Sequence, residues 1–235
     1  AAAVFHALTQ DATAREASAC DREFEADSSK ISCWYRALEQ RVRHESVESG
    51  MVLFAHLYDT YPEFVRLGCH VHAHKMGDIA YFERYIQNPS LDAIDFPQST
   101  TGCGYGFYHG FLEHLIQDHP EPGFITDTCT YLNRRLGGTM SDISNICYHG
   151  AGHGLILSQT DRAVRSMWGK MDRFIQKPLE QCEAMVGVSA TELDQCREGV
   201  FNVIITWAAS GQYGFSYTQD DILAPCQSVK TEWKY

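Results

Sequence analysis

Histidines recur in this chain at the spacing that lets two imidazoles grip one ion. His70 and His74 stand four residues apart, and so do His149 and His153. His109 and Glu113 make a mixed pair at the same spacing, and Glu198 with Asn202 repeats it without an imidazole. In an α-helix residues i and i+4 share a face, with neighbouring β-carbons, so each pair offers two donors to one point. The expected ligands are therefore His70, His74, His109, Glu113, His149, His153 and Glu198. The five histidines and Glu113 on three helices suit one well-ligated ion or two adjacent ions. His72 lies between the first pair and faces away from it if the segment is helical; an extended His70-x-His72-x-His74 would reverse that assignment. Tyr105, Tyr108 and Tyr148 flank the expected site as packing residues or proton donors.

A repeat places these pairs in register. Cys103-Gly-Tyr-Gly106-Phe-Tyr-His109, Cys147-Tyr-His149-Gly150-Ala-Gly-His153 and Cys196-Arg-Glu198-Gly199-Val-Phe-Asn202 share the pattern C-x-x-G-x-x-[HN]. Cys69-His70-Val-His72-Ala-His74-Lys-Met-Gly77 is a looser copy. The copies start at 69, 103, 147 and 196, at intervals of 34, 44 and 49 residues, the length of a two-helix unit. Equivalent positions of stacked hairpins should face a common axis, which would make the imidazoles converge. Glycine inside a helix costs about 1 kcal/mol relative to alanine. Three at one register imply a compensating close approach of helices around a small site.

The elements that must hold this arrangement read as helices. CWYRALEQRVRHE, GFYHGFLEHLIQ, TDTCTYLNRRLGG and TELDQCREGVFNVIITWAA space apolar residues by three and four, and strand signals are scarce. Capping boxes open helices at Thr139-x-x-Asp142, Ser189-x-x-Glu192 and Thr218-x-x-Asp221. About ten helices are expected, in an all-α domain over residues 1–235 with a looser part, 1–68, ahead of the repeats at 69–235. Helical-hairpin repeats would form a compact array or a closed bundle.

Nine cysteines with no CxxC pair favour disulfides over zinc ribbons, thioredoxin-like centres or c-type haem attachment. Close neighbours in sequence give Cys20–Cys33, Cys69–Cys103, Cys129–Cys147 and Cys182–Cys196, leaving Cys226. A cysteine at a helix start points about 200° away from the residue two positions on, so disulfide and ligand roles separate. Disulfides imply an oxidising compartment, secreted or periplasmic. The only N-x-S/T match, Asn88-Pro89-Ser90, is blocked by proline, which tilts the expectation toward a bacterial exterior. The opening AAAVFHALTQ lacks the basic start and long apolar run of a signal peptide.

Composition narrows the function further. The net charge of −11 repels nucleic acid, and there is no basic stripe to offset it. No apolar run reaches the roughly 20 residues of a membrane span. HExxH, GxSxG and Walker A motifs are absent, and Gly102-x-Gly104-x-Gly106 lacks the strand-turn-helix context of a nucleotide loop. The expected cofactor is a transition-metal ion, with copper or iron ahead of zinc and haem behind them. A copper or iron centre would handle oxygen or electrons, as paired helices do in bundles. A zinc centre would activate water, with Glu113 or Glu198 as ligand or base. The non-catalytic alternative is a metal- or haem-carrying or interaction subunit of an extracellular assembly. A small-molecule substrate or protein partner is left unidentified.

Overall fold

The computed structural model describes residues 2–138, 140–160 and 165–216, with side chains from residue 12 onward. Cys226, the Thr218 box and Thr139 lie outside the described residues. Ten α-helices and no strand are found among the described residues: α1 (Ala2–Glu23), α2 (Asp27–His44), α3 (Val47–Thr60), α4 (Pro62–Val65), α5 (Cys69–Ala80), α6 (Gly106–Asp118), α7 (Pro122–Leu136), α8 (Ile143–Leu157), α9 (Met171–Glu183) and α10 (Ala190–Ser210). The class is all-α, as the apolar spacing predicts. All four expected cysteine pairs are disulfides. The chain divides into two compact units, Ala1–Phe111 and Leu112–Tyr235, and the division falls within α6.

In the first unit α2 buries Trp34, Leu38 and Val42, one per turn, against Leu53, Phe54 and Leu57 of α3. Each such side chain contributes about 1.5–3 kcal/mol on leaving water. The Trp34 indole N–H donates to the Ala17 carbonyl at 2.9 Å, and Cys20–Cys33 clamps α1 to α2 beside it. Two caps fix the start of α3. The Ser46 hydroxyl accepts from Ser49 N, and the Asp95 carboxylate accepts from Val47 N and Glu48 N. α5 runs into a π-helical turn, Tyr81–Tyr85, whose Tyr81 and Tyr85 pack edge-on against Phe111.

His72 belongs to this core. Fully buried on α5, it stacks on Phe64 with ring centroids 3.6 Å apart. Its Nε2–H donates to the Phe64 carbonyl, and its Nδ1 accepts from the Tyr35 hydroxyl at 2.7 Å. Both ring nitrogens are thus used in the neutral form. Burial holds the imidazole below its ordinary pKa of 6.5, outweighing the opposing bond to Phe64.

The second unit is built around α8. Its residues Ile146–Ile156 are buried with the single exception of His149, so α8 is enclosed nearly all round. It packs on α7, α9 and α10. Cys129–Cys147 ties it to α7, and Cys182–Cys196 ties α9 to α10. α10 starts with the expected capping box, Ser189 with Glu192, and ends at Gly211 in the left-handed conformation (φ 71°).

Glycine sets how close these helices come. A Cβ on Gly152 of α8 would run into the Cys196 carbonyl oxygen and lie 2.8 Å from Val200 N. One on Gly199 of α10 would run into the His149 carbonyl oxygen. In the first unit Gly110 of α6 meets the His74 carbonyl in the same way. The helices therefore touch backbone to backbone, and neither partner has a flexible end that can retreat.

Gly152→Ala should consequently destabilise the protein by about 2–3 kcal/mol, read as a lower chemical-denaturation midpoint. Gly123→Ala, where nothing lies within 4 Å of the added methyl, should be neutral or stabilising by up to about 1 kcal/mol. His72 sets a pH expectation. Its folded pKa is depressed, so its contribution is complete above about pH 6.5 and lost as pH falls through the folded value. The urea midpoint should drop between pH 7.5 and pH 5, and His72→Gln, weaker at pH 7.5, should show a smaller drop; an equal drop in both would contradict this role.

Candidate metal centre

Three helices carry the i,i+4 pairs, and each pair sits where its helix is thinned by glycine. On α5, the His70 and His74 rings lie 6.4 Å apart. His109, in the first turn of α6, brings its ring to 5.1 Å from that of His70. The His70 Nδ1–H donates to the Cys103 carbonyl at 3.0 Å, which leaves the lone pair of the ring on Nε2. His74 Nδ1 lies 3.5 Å from Asp78 Oδ1, one further turn along α5.

In the second unit the pair on α8 is tighter. His149 Nε2 and His153 Nε2 are 3.2 Å apart, with ring centroids at 4.9 Å. Two nitrogens bonded to one ion at about 2.0–2.1 Å are separated by about 2.9 Å at a right angle and about 3.3 Å at the tetrahedral angle. The observed separation falls in that interval. Without an ion, one imidazole donates to the other, and replacing that proton by a cation requires little movement of either ring. The other nitrogen of His153, Nδ1, lies 3.5 Å from Glu113 Oε2. A carboxylate facing the far nitrogen of a ligating histidine fixes the tautomer and raises its basicity. Gly154 positions Glu113 for this, since a Cβ there would lie 2.7 Å from the Glu113 carbonyl oxygen.

Within the second unit Glu113 and His153 each offer one ligand atom, within 4.8 Å of each other, and could contribute to holding a metal ion. His74 and Glu113 are half-buried and His153 is buried, with a tenth of its side chain accessible. Two protein donors from α8 leave coordination positions for water or an exogenous ligand, the open arrangement of reactive metal sites.

Other expected residues sit elsewhere. Glu198 is exposed on α10 and accepts from the Gln195 side-chain amide at 2.8 Å, and Asn202 is exposed as well. Their register with His149 and His153 does not bring them into the group. Tyr108 is buried and shares a hydrogen bond with Thr100 at 3.0 Å. Tyr148 is buried on α8; desolvation, with the Glu192 charge adding to it, pushes its phenol up to about 12, so it stays protonated beside the histidines. His44, His56 and His119 lie apart from the pairs, against Gln40, Tyr61 and Phe124. Asp78 is the site neighbour that spacing alone could have found, because it continues the His70, His74 ladder by four. No protein-family model matches this chain, and no curated protein or solved structure is significantly similar to it.

Proposed function

We propose that the protein is a metal-binding protein of an oxidising compartment, whose centre holds a first-row transition-metal ion between His149 and His153 of α8, with the Glu113 carboxylate facing the far nitrogen of His153. The observation that carries this reading is the 3.2 Å between the two Nε2 atoms on α8, the bite of two imidazoles on one ion. A donor pair of imidazoles backed by a carboxylate selects copper, iron or zinc over magnesium or calcium. Copper or iron is our choice, with oxygen or electron handling as the role. The four disulfides fit surroundings in which such ions cycle between oxidation states. Open coordination positions in a partly buried, helix-lined site would admit a small ligand such as dioxygen. A bare ion is favoured over haem because α8 and α10 touch at Gly152 and Gly199, leaving no slot between them for a planar macrocycle.

Protein purified without a histidine tag should contain copper or iron at about one ion or more per chain by elemental analysis. His149→Ala and His153→Ala should each lower ion affinity by at least about tenfold while the helical circular dichroism is retained. Glu113→Gln should weaken binding by about 10–100-fold, and Glu198→Gln should change nothing. Zinc in place of copper or iron would move the reading to hydrolysis. Equal metal content in all four variants would remove α8 from the site.

A further inference from the structure

His70 and His109 are not needed by the ion just described, yet they are arranged as a clamp of their own. Their rings approach to 5.1 Å at an interplanar angle of 62°. His70 is exposed and His109 half-buried, so the pair borders solvent. The position of His70 is set by its surroundings rather than by chance contact. Its Nδ1–H is held by the Cys103 carbonyl, and Cys103 is bonded to Cys69, the residue immediately before His70. Cys103, Gly104 and Tyr105 all adopt left-handed backbone conformations (φ 57°, 61° and 60°). Two of those residues carry a Cβ, so this turn is held by its surroundings and not by residue preference. A Cβ on Gly104 would lie 3.4 Å from His70 Nδ1, so the imidazole rests directly on the turn. Immediately after it, Gly106 lets α6 start against the His70 carbonyl, with a would-be Cβ at 2.5 Å. The turn, the disulfide and the glycine contact thus seat His109 beside His70 and put the His70 lone pair on Nε2. A backbone carbonyl holding the far N–H in this way is what orients a metal-ligating imidazole.

Register relates this pair to the first ion. His70 lies one helical turn before His74 on α5, and His109 one turn before Glu113 on α6. Four residues advance about 6 Å along a helix, so α6 carries a donor of this pair one turn before the carboxylate that faces His153.

We infer that His70 and His109 form a second transition-metal site, solvent-facing and completed by water or an exogenous ligand, so that the protein carries two ions. The inference extends the centre proposed above, but its donors are separate from those of that ion. The pair provides two imidazoles and no carboxylate, which suits copper or zinc and gives an ion more exchangeable than the first.

The test is titration of metal-free protein with zinc chloride, followed calorimetrically and checked by elemental analysis after gel filtration. The wild type should take up two equivalents. His70→Ala and His109→Ala should each take up one, the tighter, while the His149→Ala, His153→Ala double variant keeps the weaker. Because His70 is exposed, its replacement leaves the core intact, and unchanged circular dichroism would verify that. One equivalent in the wild type, retained in His70→Ala and His109→Ala, would overturn the second site and leave the first standing. Two equivalents retained in both variants would overturn it as well, by moving the second ion elsewhere. No uptake by the wild type would overturn both readings.

Discussion

Backbone contact between helices is the constraint on which the site depends. Two helices packed through ordinary side chains keep their axes 8–10 Å apart, and histidines on them then reach different solvent regions. Here Gly152 and Gly199 place α8 and α10 in van der Waals contact at the main chain, and Gly110 does the same between α6 and the His74 carbonyl of α5. Glycine within a helix is unfavourable by about 1 kcal/mol, and the return is position: the thinned stretch lies beside the imidazoles each time. Gly154 applies the same device between α8 and the Glu113 turn, which puts the carboxylate opposite His153.

Cysteines complete the positioning. Cys69 opens α5 beside His70, Cys103 supplies the carbonyl that holds the His70 ring, and Cys147 is two residues before His149. Each of these cysteines is cross-linked, so every histidine-bearing helix is tethered close to its ligands. A cross-link of this kind stabilises mainly by constraining the unfolded chain, by about 2–4 kcal/mol. The same tethers limit how far a ligand can drift from its partners.

Much of this was legible in residue spacing, and the exceptions have physical reasons. The all-α class follows from the three–four periodicity. The four disulfides follow from pairing each cysteine with its near neighbour; three of them join consecutive helices that lie side by side, and Cys69–Cys103 ties the start of α5 to the turn before α6 across a longer connection. His72 was readable as turned away from His70 and His74, though its bonds to Tyr35 and Phe64 were not, since they join residues far apart in the chain. Glu198 shows where register fails. It occupies the repeat position of His149, but α8 is enclosed nearly all round, whereas α10 is not. Glu198, Asn202 and Ile205 form an outward stripe on α10 and remain exposed. A repeat predicts equivalent positions along a helix; whether a neighbour covers them depends on where that helix stands in the packing.

The most direct measurement is the X-ray absorption spectrum of the protein loaded with one equivalent of copper. With His149 and His153 as the primary clamp, the first shell should contain at least two nitrogen donors at about 2.0 Å with the outer-shell multiple scattering of imidazole rings, and His149→Ala should remove part of that scattering. A shell of oxygen donors alone, identical in the wild type and in His149→Ala, would contradict the assignment of α8 as the helix that holds the ion.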